Sequence, residues 1–209
     1  MKVLKISNDR VKYVLRYISE NKLIFIYGFV LCFGLFLGAF FSGKHTLNIF
    51  NLEQFFQNFL LSRRNSSFAI LFKNTLLSGV AYLLLCYFSG MFVLGSVTNG
   101  VILLFNGSSI GLLMGFTYLL YGLKGVAFSI IIILPNAFIS SLVYILSCKE
   151  SYLFSLNFIG LFTSSPTLRN ITPEFKRYCL KFVVFAVVIV FSSLLDAVLT
   201  SVFWNVFNL

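Results

Sequence analysis

From Asn74 to Cys148 the chain runs for 75 residues with one charged side chain, Lys124. A water-soluble domain cannot be built from such a stretch, because it has almost nothing to place on a solvated surface. Hydrocarbon is the solvent that suits it. One helical crossing takes about 20 apolar residues, so the stretch divides into three spans, 75–94, 101–121 and 126–147. The rest of the chain agrees: of 209 residues 59% are hydrophobic and 11% charged, with a mean hydropathy of +0.95. No separate soluble domain fits.

Two further apolar runs complete the set. The first, 23–41, carries no charge and follows a segment containing Lys2, Lys5, Arg10, Lys12, Arg16 and Lys22. It is longer than a signal-peptide core and ends in Phe40-Phe41 rather than a small-residue cleavage site, which predicts a retained anchor. The last is 182–204, closing on an interface-type Trp204. The fold class is therefore all-α, a polytopic membrane protein of about five transmembrane helices forming one membrane domain over 1–209. Within 1–22, Val11, Val14, Leu15 and Ile18 fall at helical spacing and predict a basic amphipathic helix on the membrane surface.

Orientation follows from Lys and Arg. With the N-terminus inside, the six basic residues above join Lys149, Arg169, Lys176, Arg177 and Lys181 on the inner side. Lys44, Arg63, Arg64, Lys73 and Lys124 are left outside. Eleven against five sets the N-terminus in the cytoplasm and the C-terminus outside. The net charge of +10 thus reads as headgroup contact and topology rather than nucleic-acid binding, for which no basic face with interleaved aromatics exists. Cys32, Cys86, Cys148 and Cys179 have no paired spacing and read as small buried hydrophobes, and His45 has no second ligand near it. No cofactor or metal set is visible.

Two connecting segments are long. In the outer segment 42–73, Leu52, Phe55, Phe56, Phe59 and Leu60 make an apolar stripe opposite Glu53, Gln54, Gln57 and Asn58. That pattern predicts a helix lying on the outer leaflet, covering the bundle or docking a partner. The inner loop 148–181 contains an apolar piece, 152–162, too short to span and broken by Ser164-Ser165-Pro166, which reads as interfacial.

The run NGSSIGLLMG, 106–115, admits two readings. Gly107-Ser108-Ser109-Ile110-Gly111 fits the turn that presents a hydrolase nucleophile. Gly107, Gly111 and Gly115 also fall every fourth residue, the spacing of a close-packed membrane helix. A catalytic serine needs a histidine base, and no span has one. Lys124 is roughly 22 Å away along a helix. The run is a packing seam, and Gly34 with Gly38 repeats it in the first span. The facing helix belongs either to this chain or to a second copy, which would make a homo-oligomer. Asn106 and Ser108 are expected to bond a neighbouring helix.

Asp196 is the one charge well inside a span, a functional candidate on energetic grounds. It lies about 21 Å past Phe182, in the outer third of its span. It pairs with a basic group or a partner, accepts from Ser192 one turn back, or reaches water at the interface. Pro135 interrupts the fourth span and frees a carbonyl, and Asn136 beside it can refill that bond or line a cavity.

In order, the chain has a basic N-terminus, one span and an outer amphipathic segment. There follows a Gly-rich triple span with Gly90-Met91, Gly95, Asn106-Gly107, Gly111, Gly115 and Leu134-Pro135-Asn136. Lys176-Arg177-Tyr178 then precedes a last span with Asp196. In length and layout this resembles the stage II sporulation protein M family. Relatives often have Glu where this chain has Asp196, and His-Gly or Gln-Asn where it has Asn136-Ala137. The resemblance implies a five-span protein without catalytic activity. Such a protein holds the peptidoglycan-degrading stage II sporulation proteins D and P in the mother-cell membrane while the forespore is engulfed. It also implies that Asn106, Gly107, Gly111, Gly115, Pro135 and Asp196 form a shared structural core. A transporter or permease subunit is the second reading, from the Gly-rich spans, Pro135 and Asp196. Against it, no inverted repeat is evident and few polar groups could line a path.

Overall fold

In the computed structural model the first uncharged run is helix α1, Lys22–Ser42. It is followed by α2, Phe68–Ser89, and α3, Gly95–Tyr121. The fourth span is composite: α4, Leu123–Phe128, a π-helical turn over Ser129–Ile133, and α5, Leu134–Thr163. The last helix is α6, Thr172–Phe207. The structure describes residues 22–43, 63, 66–92, 94–163 and 172–207, and no strand occurs among them. Five helices are long and apolar enough to cross a membrane, as the sequence predicts: Lys22–Ser42, Phe68–Ser89, Val97–Tyr121, Leu123–Asn157 and Pro173–Phe203. The surface helix read at 11–18 and the stripe from Leu52 to Leu60 lie outside the described residues.

Helix ends differ from span ends. The sequence starts the second span at Thr75 because Lys73 is charged, but α2 begins at Phe68 and carries Lys73 on its exposed side. Ser67, with extended backbone, opens this helix by accepting the N–H groups of Ile70 and Leu71. The helix ends at Gly90, and a tight turn leads into α3 six residues ahead of the expected start at 101. Between the fourth and last spans the difference is larger. The predicted interfacial piece is not separate: α5 runs through it to Thr163, and α6 resumes at Thr172. Lys149 and Glu150 end an apolar run, but charge does not end a helix, whose backbone bonds are internal. Glu150 instead meets Lys181 of α6 at 2.6 Å.

Gly122 makes the turn from α3 into α4. Its φ is +57°, a conformation that costs other residues, and its N–H closes on the Tyr118 carbonyl at 2.8 Å. The π turn that follows places the Leu134 N–H on the Ser129 carbonyl, five residues back. Pro135, which has no N–H to give, sits immediately after this widened turn.

Helix α1 lies along α3, the most extensive helix pair in the bundle, while α6 packs against α2 and α5. One buried cluster includes Tyr27, Leu31, Leu83, Leu103, Phe182 and Ile189; a smaller one gathers Phe128, Ile132, Ile133 and Ala137. Aromatic rings tie three helices together: Tyr178 of α6 stacks on Phe154 of α5 at 4.4 Å and on Tyr87 of α2 at 5.2 Å. Of the cysteines read as buried, Cys86 and Cys148 are, with sulfurs 3.6 Å apart; Cys32 is exposed. Around the bundle, large apolar side chains such as Phe29, Phe36 and Leu77 face outward, as lipid contact requires.

Candidate functional site

The seam and the polar residues of the spans build two different places. The seam is α1 against α3. A methyl group added at Gly107 would strike the Leu31 carbonyl, one at Gly111 the Leu35 carbonyl, and one at Gly38 the Ser108 carbonyl. Gly34 is equally tight, since a methyl group there would sit 2.6 Å from the Leu104 carbonyl, and one at Gly115 meets the Ser42 side chain. The question of the facing helix is thereby answered: the glycine faces of the first and third spans meet within one chain. Close backbone approach gives van der Waals contact that lipid tails cannot rival, which is what holds helices together without a hydrophobic drive. The hydroxyls of Ser108 and Ser109 make no bond across it. Both donate to the Phe105 carbonyl of their own helix, at 3.0 and 2.8 Å, and Ser109 is exposed. Among the described residues no base stands beside either hydroxyl, and the expected bond from Ser108 to a neighbouring helix is not formed, because the carbonyl one turn back is nearer.

The second place lies where α2, α3, α5 and α6 converge. Asp196 of α6 is 1% exposed. Arg63 donates to its Oδ2, and Thr75 of α2 donates to the same oxygen at 2.8 Å. Arg63 also reaches Thr200, one turn further along α6, at 3.4 Å. Of the three sequence readings for Asp196, pairing with a basic group is the one realised. Ser192 does not serve it: its hydroxyl donates instead to Asn136 Oδ1 at 2.6 Å, tying α6 to α5 just past Pro135. Asn136 also lines a cavity, one of the two roles open to it in the sequence.

That cavity has a volume of about 160 Å³. Asp196, Asn136, Asn106, Ser140, Tyr144 and Arg63 all contribute to its wall. Asn106 comes from the seam helix but lines this cavity, so α3 carries the glycine contact on one face and contributes to the cavity wall on another. Ile133 and Ala137, on either side of Pro135, reach the wall as well. The chemistry available is hydrogen bonding and charge neutralisation; no nucleophile is paired with a base among the described residues.

Sequence reasoning missed Arg63 and Asn99. Asn99, fully buried at the start of α3, accepts from Ser89 Oγ and donates to the Cys148 carbonyl at 3.3 Å. It lies ahead of the span predicted from 101, so its burial was not visible. For Arg63 the signal was the lone acid itself: an intramembrane carboxylate implies a cation, and the candidates on the predicted outer side were few.

Searches of curated proteins and of solved structures return no match to this chain. The family model described as Stage II sporulation protein M matches residues 25–201, a range that reaches into all five spans and holds the glycine seam and the Arg63–Asp196 pair. The chain belongs to the stage II sporulation protein M family.

Proposed function

We propose that this chain is a non-catalytic scaffold in the mother-cell septal and engulfing membrane. In this reading its N-terminus is cytoplasmic, and its outer face assembles the peptidoglycan hydrolases, the stage II sporulation proteins D and P, as the forespore is engulfed. Family membership supports the sporulation role. The observation that carries the scaffold reading is the Arg63–Asp196 pair. It ties Arg63, in the connection between the first two spans, to the last span. Its charges also cancel, whereas a translocation path keeps an ionisable group available to its cargo.

One observation favours the second reading, a transporter or permease subunit: a cavity with polar groups in its wall beside a π turn and a proline. Deleting the gene in the native host, inducing sporulation and following membranes with a dye separates the two. Membranes stalled at the septum, with Asp196→Asn failing to restore migration, support the scaffold. Normal engulfment removes it and turns attention to solute uptake.

A further inference from the structure

Three buried side-chain polar atoms lack a hydrogen-bond partner among the described residues: Asp196 Oδ1, Asn106 Oδ1 and Ser147 Oγ. The first two belong to residues lining the same cavity. Asp196 and Asn106 are 99% and 92% buried. An acceptor left unsatisfied in the interior keeps its full desolvation penalty, and the penalty grows when the acceptor is charged. Both residues line this one cavity, and we propose that it binds a small uncharged hydrogen-bonding guest, water, held between Asp196 of the last span and Asn106 of the third.

Charge selects the guest. Arg63 already neutralises Asp196 through Oδ2, so a bound cation would leave a net positive charge in a low-dielectric interior. An anion finds only acceptors at the two unmet atoms. Water donates twice and accepts twice, and therefore also suits the Asn106 amide in either orientation. The volume accommodates several molecules, and polar cavities with two to four partners per molecule are where buried water resides. Position gives the guest a role. Helices α3 and α6 share little direct contact, so water between Asn106 and Asp196 links the glycine seam to the ion pair across a gap that side chains do not close. The inference is independent of the scaffold reading.

The test uses the full-length protein in lipid nanodiscs. Hydroxyl radicals are generated from water by a short X-ray pulse and oxidised residues are located by mass spectrometry. Tyr144 lines the cavity and Tyr27 does not, although the two are 3% and 5% exposed. Water in the cavity makes Tyr144 oxidise several-fold faster than Tyr27. Equal or slower oxidation of Tyr144 means that the cavity is dry and overturns the proposal. Unfolding temperatures in sodium, potassium and ammonium chloride are expected to match that in choline chloride at equal ionic strength. A rise of several degrees with one cation assigns the site to that ion and overturns the uncharged guest. Asn106→Leu, if it folds, lowers Tyr144 oxidation towards the Tyr27 rate; if it does not fold, the wild-type comparison still decides.

Discussion

The third helix has two faces that hold the bundle by opposite means. Towards α1 it offers Gly107, Gly111 and Gly115, and contact is made by backbone on backbone with no room for a methyl group. On another face it offers Asn106 to a cavity where amides, hydroxyls and an ion pair stand among apolar side chains. The seam tolerates no added atom, and the cavity tolerates no lost partner. In lipid both are needed: small residues supply packing where no hydrophobic drive exists, and paired polar groups specify which helices meet. The comparison predicts that enlarging side chains harms one region and deleting polar groups harms the other.

The largest effect is expected at the seam. In Gly111→Leu a branched side chain must enter where even Cβ collides with the Leu35 carbonyl, and the carbonyl belongs to a helix that cannot give locally. Helices α1 and α3 must separate along their whole contact. The expected outcome is loss of the monodisperse peak on size-exclusion chromatography in mild detergent, with recovered protein aggregated. A variant that elutes and melts like the wild type would mean that the seam is looser than the structure has it.

Next comes the ion pair. Arg63→Ala leaves Asp196 buried beside Thr75 alone, and breaking a buried pair from one side costs about 3–5 kcal/mol. For a protein of this size the unfolding temperature falls by on the order of 10 °C. Replacing both partners with apolar residues, Arg63→Met with Asp196→Leu, removes the stranded charge and recovers most of that loss. Thermal unfolding of the two single variants and the double in detergent measures the coupling directly. A double variant as unstable as the sum of the singles would show that the two side chains act separately.

The two regions also differ in how far a sequence exposes them. Every-fourth glycine spacing is local and reports a helix face directly, so the seam was legible down to its residues, and only its partner was open. The cavity depends on residues that meet across the fold: Arg63 and Asp196 are 133 positions apart. Arg63 stands in a segment where a basic residue reads as a topology marker, which hides its second role. Asp196, Asn136 and Pro135 drew notice because each is costly in a span, and all three lie at or beside the cavity. Their connections were illegible: one-turn spacing offers Ser192 as one of several partners for Asp196, whereas its acceptor is Asn136 on another helix. Helix limits failed for a different reason. Apolarity ends at the membrane boundary, but hydrogen bonding along α5 does not, so the helix outlasts the span.

The smallest effect sharpens the comparison most, because it changes neither region. Gly100 is on the same helix as the seam glycines, yet an added methyl there would find nothing within 4 Å. Glycine inside a helix costs about 0.5–1 kcal/mol relative to alanine, chiefly through the freedom of the unfolded chain. In a bilayer much of that freedom is already lost, since an unpacked span remains helical to satisfy its backbone. Gly100→Ala is therefore expected to raise stability by no more than about 0.5 kcal/mol, or to leave it unchanged. Gly107→Ala, seven residues on, meets the Leu31 carbonyl and lowers it. Unfolding temperatures of the two alanine variants, measured side by side, separate glycine needed for packing from glycine that is merely permitted. If both fall alike, helix α3 depends on glycine along its length rather than on one face, and the two-faced description of that helix is wrong.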